Sequence, residues 1–83
     1  MLPLKSAIYA FGSEWYEASD QDVVGYPQYF GYLNNTGKWI IQQINNSAGT
    51  IRYVNGKTSY AAAWSARASL SYAYYHLLSN TSP

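Results

Sequence analysis

The sequence predicts an α+β domain: a small antiparallel β-meander of three to four strands with a C-terminal helical segment laid over it. Three observations predict it. Between Gln28 and Lys57, three apolar runs are separated by turn signals, the pattern of short strands joined by tight connections. Asn55-Gly56 is the residue pair that two-residue hairpin turns prefer. Finally, Tyr60, Trp64, Ala68, Ser71, Tyr75 and Leu78 fall at helical spacing in a stretch rich in alanine. The alternative is an all-β chain, because SLSYAYY (69–75) alternates with period two and is rich in tyrosine.

The elements follow in order. Ser6–Phe11 suits a short strand ended by Gly12, and 13–22 admits a helical turn with Ser13 as N-cap and Glu14 and Glu17 near its positive end. Gly25-Tyr26-Pro27 is an open connection, since the residue before a proline is held extended. Gln28–Leu33, Lys38–Ile44 and Thr50–Val54 are the meander strands, and both faces of the first two carry apolar side chains. Asn34–Gly37 and Asn45–Gly49 supply the left-handed residues that turns need. Lys57–Tyr60 is a possible fourth strand, and Ser59 can cap a helix reaching about Leu78. The chain thus divides into an approach segment (1–27), the meander (28–60) and a helical cover with its tail (61–83), all within one domain. Trp39, Ile41, Ile51, Tyr53, Trp64 and Leu70 are the expected core. One short helix covers only one sheet face, so the meander is expected to be half a core, completed by a partner.

Composition narrows the function. A chain of 83 residues without cysteine has neither disulfides nor thiolate metal sites to staple a small core, which leaves association as the remaining staple. Aromatic residues make up 18% of the chain and charged residues 11%, against roughly 25% charged in ordinary globular proteins. Tyrosine and tryptophan enrichment with charge depletion is the composition of an interface core. Tyr9, Trp15, Tyr26, Tyr29, Phe30, Tyr72 and Tyr74 are the candidate interface anchors. All four acids lie between Glu14 and Asp22, whereas only cations follow them. Arg67 is therefore expected to bridge to that acidic segment or to a neighbouring copy.

Catalysis finds no support. His76 is the single histidine, with no second and third member of a catalytic triad around it, and its position suits a helix end or the surface. No catalytic residue, metal ligand or cofactor is assigned. A net charge of +1 supplies no footprint for nucleic acid, and no run reaches the apolar length that spans a bilayer. The N-terminus, with Pro3 and no apolar run of signal length, carries no secretory signal. The sequons at Asn34, Asn45 and Asn80 therefore read as turn chemistry. Exposed Trp and Tyr beside Asn and Gln could also stack on and hydrogen-bond a sugar, which makes carbohydrate binding the alternative to protein–protein contact.

YFGYLN (29–34), GKW (37–39), Arg52-Tyr53, Tyr60, Trp64, Arg67-Ala68, Leu70, Tyr72 and Tyr74 together resemble a group of small, mostly uncharacterised proteins encoded among the virion structural genes of tailed bacteriophages. The resemblance covers roughly residues 26–75 and rests on aromatic spacing. It implies a structural role in a phage particle: capsid decoration or cement, or a head–tail or tail accessory subunit. The implied partners are further copies or other virion proteins, and the implied location is the virion after synthesis in the host cytoplasm. In the alternative, the chain is a sugar-binding module on a receptor-binding tip.

Overall fold

The computed structural model describes residues 7–12 and 14–79. Its framework is one five-stranded antiparallel sheet in simple chain order, curled into a half-barrel. The strands are β1 (Ala7–Ala10), β2 (Glu14–Asp22), β3 (Gln28–Asn34), β4 (Trp39–Asn45) and β5 (Thr50–Gly56). After β5 come a short helix, α1 (Tyr60–Ser65), and 3-10 turns at Arg67–Ser69 and Tyr75–Leu77. The fold is mostly β, so the α+β expectation is corrected at three places.

The acidic stretch 14–22 is a nine-residue strand, not a helical turn. Its burial alternates with period two around fully buried Tyr16. Pairing with β1 on one side and β3 on the other supplies more backbone hydrogen bonds than one helical turn could, and this tertiary gain overrides local capping preference. The expected N-cap at Ser13 and the strand start at Ser6 lie outside the described residues.

Asn55-Gly56 does not turn. Both residues stay in β5, opposite Ile40 and Trp39, and neither has the positive φ that the expected hairpin turn requires. There is no strand at 57–60: the chain passes Trp39, whose indole Nε1–H donates to the Thr58 carbonyl at 2.8 Å, and enters α1. Ser59 caps that helix, its Oγ accepting from the Ala62 amide.

The helical segment expected over 61–78 stops at Ser65. The backbone N–H and C=O of Tyr53 point outward from the free edge of β5, and both are satisfied by Ala73, at 2.7 and 2.8 Å. An edge that offers unmet backbone groups recruits extended chain. The period-two reading of 69–75 is therefore realised at Ala73, and the chain around it cannot remain helical. The expected helix end at Ser79-Asn80 and the sequon at Asn80 reach beyond the described residues.

A β-bulge sets the chemistry of the two sheet faces. Ala18 pairs with Tyr32 and Asp20 with Gly31, so Ser19 is the extra residue. Side chains alternate along a strand, and an inserted residue reverses which face they meet. Tyr16 and Ala18, before the bulge, join the inner cluster of Ala10, Phe30, Tyr32 and Ile40. Asp20 and Asp22, after it, share the outer face with Gly31 and Tyr29, where Tyr29, Trp39, Ile41 and Ala63 form the second core beneath α1.

The inner face does not wait for a partner to complete it. β1 and β2 bring Ile8, Phe11 and Tyr16 onto it, and Tyr75 stacks on Phe11 and meets Tyr53 edge-on, at centroid distances of 6.2 and 5.4 Å. The Tyr75 hydroxyl accepts from the Phe11 amide at 3.2 Å. The idea of a half core is thus corrected. Both faces of β3 and β4 are filled from within the chain, because two strands and a 3-10 turn lie where an open flank was expected.

Candidate functional site

With both cores closed, the large side chains that remain exposed define the surface. Trp15 on β2 stands opposite Tyr9 on β1, their rings 4.9 Å apart and nearly perpendicular. Tyr9 is 67% exposed and Trp15 46%. The pair faces outward because its neighbours in sequence, Ala10 and Tyr16, face the inner core. Glu17, next on the same face, is exposed and forms no ion pair among the described residues.

Beside this pair lies a shallow groove of about 300 Å³ lined by Trp15, Glu17, Ala18, Ser19, Leu33, Asn34 and Asn35. Its walls are held from below. Asn34 Nδ2 donates to the Trp15 carbonyl at 3.0 Å, while its Oδ1 accepts from the Thr36 amide at 2.8 Å. One side chain therefore ties the β3–β4 turn to β2. The Tyr16 hydroxyl donates to Glu14 at 3.1 Å, and Glu14 pairs with Lys38 at 2.8 Å. Burial, and secondarily the Glu14 carboxylate, push the Tyr16 phenol well above its usual range, so it remains a neutral donor. The groove is held from below by these hydrogen bonds and one ion pair, and its lining carries one carboxylate, Glu17, with no ion pair among the described residues.

The other flank of the sheet bears a different patch. The Arg52 guanidinium lies 4.0 Å from the Tyr74 ring centroid, and His76 stacks on the same ring at 5.6 Å. Tyr74 is 52% exposed, and Leu77 and Ile51 are exposed nearby in sequence. Neither Arg52 nor the exposed Lys57 has an acidic partner among the described residues. Between the flanks, α1 and the turn after it cover β3 to β5. A smaller exposed site, Val24 and Tyr26, sits in the β2–β3 connection, where Asn46 donates to the Tyr26 hydroxyl at 3.3 Å.

The expected anchors are thus distributed unevenly. Tyr9, Trp15, Tyr26 and Tyr74 are exposed, but Tyr29 and Phe30 are buried, at 6% and 5%, in the outer and inner cores. Tyr72 is half-buried, its hydroxyl donating to the Arg67 carbonyl. Arg67 reaches back to Asp22 of the same chain, at 3.0 Å, with its guanidinium over the Trp64 ring. Of the expected core, Trp39 and Ile41 are buried, and Tyr53, Trp64 and Leu70 are partly buried against the two clusters. Ile51 is 48% exposed; it pairs with Ile44 one residue from the loop end of the β4–β5 ladder, where no element covers it. Sequence reasoning missed Tyr16 as core, Phe11 and the half-exposed Tyr75 as the cover at its edge, and Glu17, Ser19 and Asn35 as rim. The alternation of Glu14–Ser19 is one of burial and not of residue type, so the sequence carried no signal for it.

Among the described residues no group of His, Asp and Glu is gathered closely enough to hold a metal ion. No helix among them is long and apolar enough to cross a membrane. No family model, curated protein or solved structure matches the chain.

Proposed function

We propose that the chain is a small structural subunit of a bacteriophage particle, a capsid decoration or cement protein or a head–tail or tail accessory subunit, working through protein–protein contacts. The observation that carries the contact reading is the Tyr9–Trp15 pair, two large rings left in solvent although the chain has filled both of its own cores. Aromatic side chains at the centre of a patch are the usual anchors of protein association. The phage setting comes from the aromatic spacing over residues 26–75. Sedimentation of the purified chain tests the reading: defined oligomers are expected at micromolar concentration, and a folded monomer at every concentration would overturn it.

A second reading is favoured by one feature, the position of Trp15 on a groove also lined by Glu17, Ser19 and Asn35. A ring face beside hydrogen-bonding groups suits a neutral saccharide. Calorimetric titration with neutral oligosaccharides, compared between the wild type and Trp15→Ala, tests it. Saturable heat lost in the variant supports sugar binding, and no heat in either sample removes it.

A further inference from the structure

The two exposed aromatic patches differ in charge and in place. One, on β1 and β2, joins Tyr9 and Trp15 to the free carboxylate of Glu17. The other, on β5 and the segment that follows it, joins Tyr74, His76 and Leu77 to Arg52, with Lys57 exposed just past the strand. β1 and β5 are the two ends of the strand order, with α1 on the outer face between them, while Tyr75 bridges Phe11 to Tyr53 where the curled sheet brings those ends together. The patches are distinct because Tyr9 and Trp15 pack on each other whereas Arg52 and His76 pack on Tyr74. The remaining charges are largely used inside the chain: Glu14 pairs with Lys38 and Asp22 with Arg67, and Asp20 accepts from Tyr60 and Ser19. Among the described residues, the charges left over are an acid on one flank and cations on the other.

From this separation we infer that the chain associates head to tail with further copies of itself: the Tyr9–Trp15–Glu17 patch of one copy docks on the Arg52–Tyr74–His76 patch of the next. This deepens the proposed structural role and rests on it. A two-fold interface centred on the β1–β2 patch would bring that patch against itself and place Glu17 near its own symmetry mate, uncompensated. A head-to-tail contact instead sets the acid near Arg52 or Lys57 and packs rings on rings. Such a contact leaves one patch free at each end of the chain of copies, so it either closes into a ring or extends as a filament. Complementary charge then selects the register, and the aromatic rings contribute the affinity.

The test uses two sets of full-length variants. Trp15→Arg, with Tyr9→Ser as its backup, disables one patch; Arg52→Glu with Lys57→Glu disables the other. Far-ultraviolet circular dichroism and thermal melting establish that each is folded. Each variant alone should self-associate at least about tenfold more weakly than the wild type. An equimolar mixture should form a 1:1 heterodimer and nothing larger, because each partner brings one intact patch and only one complementary pair remains. Association of the wild type should also weaken as salt rises. If the wild type associates but the mixture stays as separated as its components, the interface is not head to tail and this inference alone falls. If the wild type is monomeric throughout, the structural role falls with it.

Discussion

The Tyr60 hydroxyl occupies the space over Gly31 where a β-carbon would stand, and it donates a 2.9 Å hydrogen bond to Asp20, the residue paired with Gly31 across the β2–β3 ladder. Helix and sheet are keyed together at this point. The bulge at Ser19 turns Asp20 to the outer face, the missing side chain at Gly31 admits the phenol, and Ser59 starts the helix that carries Tyr60. All three are needed for the phenol to reach Asp20.

Gly31→Ala therefore forces Tyr60, and Trp64 beside it, away from the sheet. A cost of about 1–3 kcal/mol is expected from overpacking, read as a lower urea midpoint at unchanged slope. Tyr60→Phe removes the oxygen that the new methyl would strike. In the double variant the two costs should fall short of their sum. Strict additivity would mean that residues 31 and 60 do not touch.

Asp22 makes an acid-side prediction. Its hydrogen bonds from Arg67, and then from the Val24 amide, hold its carboxyl below the usual carboxylate value. A group whose pKa is depressed in the folded state contributes stability above its unfolded pKa, about 3.9, and loses that contribution as pH falls through the folded value. The wild-type melting temperature should thus drop more steeply below about pH 4 than that of Asp22→Asn. Parallel curves for the two proteins would show that the pair with Arg67 does not hold this carboxyl ionised.

The alkaline side depends on phenols. Burial raises Tyr16, Tyr32, Tyr60 and Tyr72 above the ordinary tyrosine value, with Glu14 adding to the shift of Tyr16 and Asp20 to that of Tyr60. The folded protein keeps these protons where the unfolded chain releases them, so stability is intact below about pH 10 and falls as pH rises beyond it. Phenolate absorbance should show a late fraction of the tyrosines appearing together with loss of the folded circular dichroism signal. Smooth ionisation of every tyrosine in a folded protein would contradict this.

Tyr75 should matter more through its ring than through its hydroxyl. Tyr75→Ala uncovers Phe11 and Tyr53 and removes two aromatic contacts, each contributing about 0.5–1.5 kcal/mol. Tyr75→Phe keeps the rings and removes only the acceptor for the Phe11 amide, for about 1 kcal/mol or less. Thermal unfolding separates the two, and equal losses would assign the closure to the hydrogen bond.

Several features of the fold are legible in the local sequence. Gln28–Leu33, Lys38–Ile44 and Thr50–Val54 match β3, β4 and β5 to within two residues at each end, because hydrophobic period and turn residues act locally. The Asn34–Gly37 turn is equally local, closed by hydrogen bonds within five residues. Asn55-Gly56 and Glu14–Asp22 show the opposite. Asn55-Gly56 carries a strong local signal for a turn and Glu14–Asp22 merely admits a helical turn, and each is overruled by strands paired from elsewhere in the chain.

Residue order and composition are enough to specify a cysteine-free chain, rich in aromatic rings and poor in charge, with three strands and two of their turns. Which rings are core and which are surface is settled only when the strands pair and the sheet curls. Tyr16 and Trp15 are adjacent and alike in chemistry, yet one is fully buried and the other half exposed. No local rule separates them, since the face that a strand residue meets depends on what the sheet curls around. The same holds for the acids. One extra residue at Ser19 sends Asp20 and Asp22 to the helix and leaves Glu17 on the rim, and a bulge is settled by the register of the neighbouring strand.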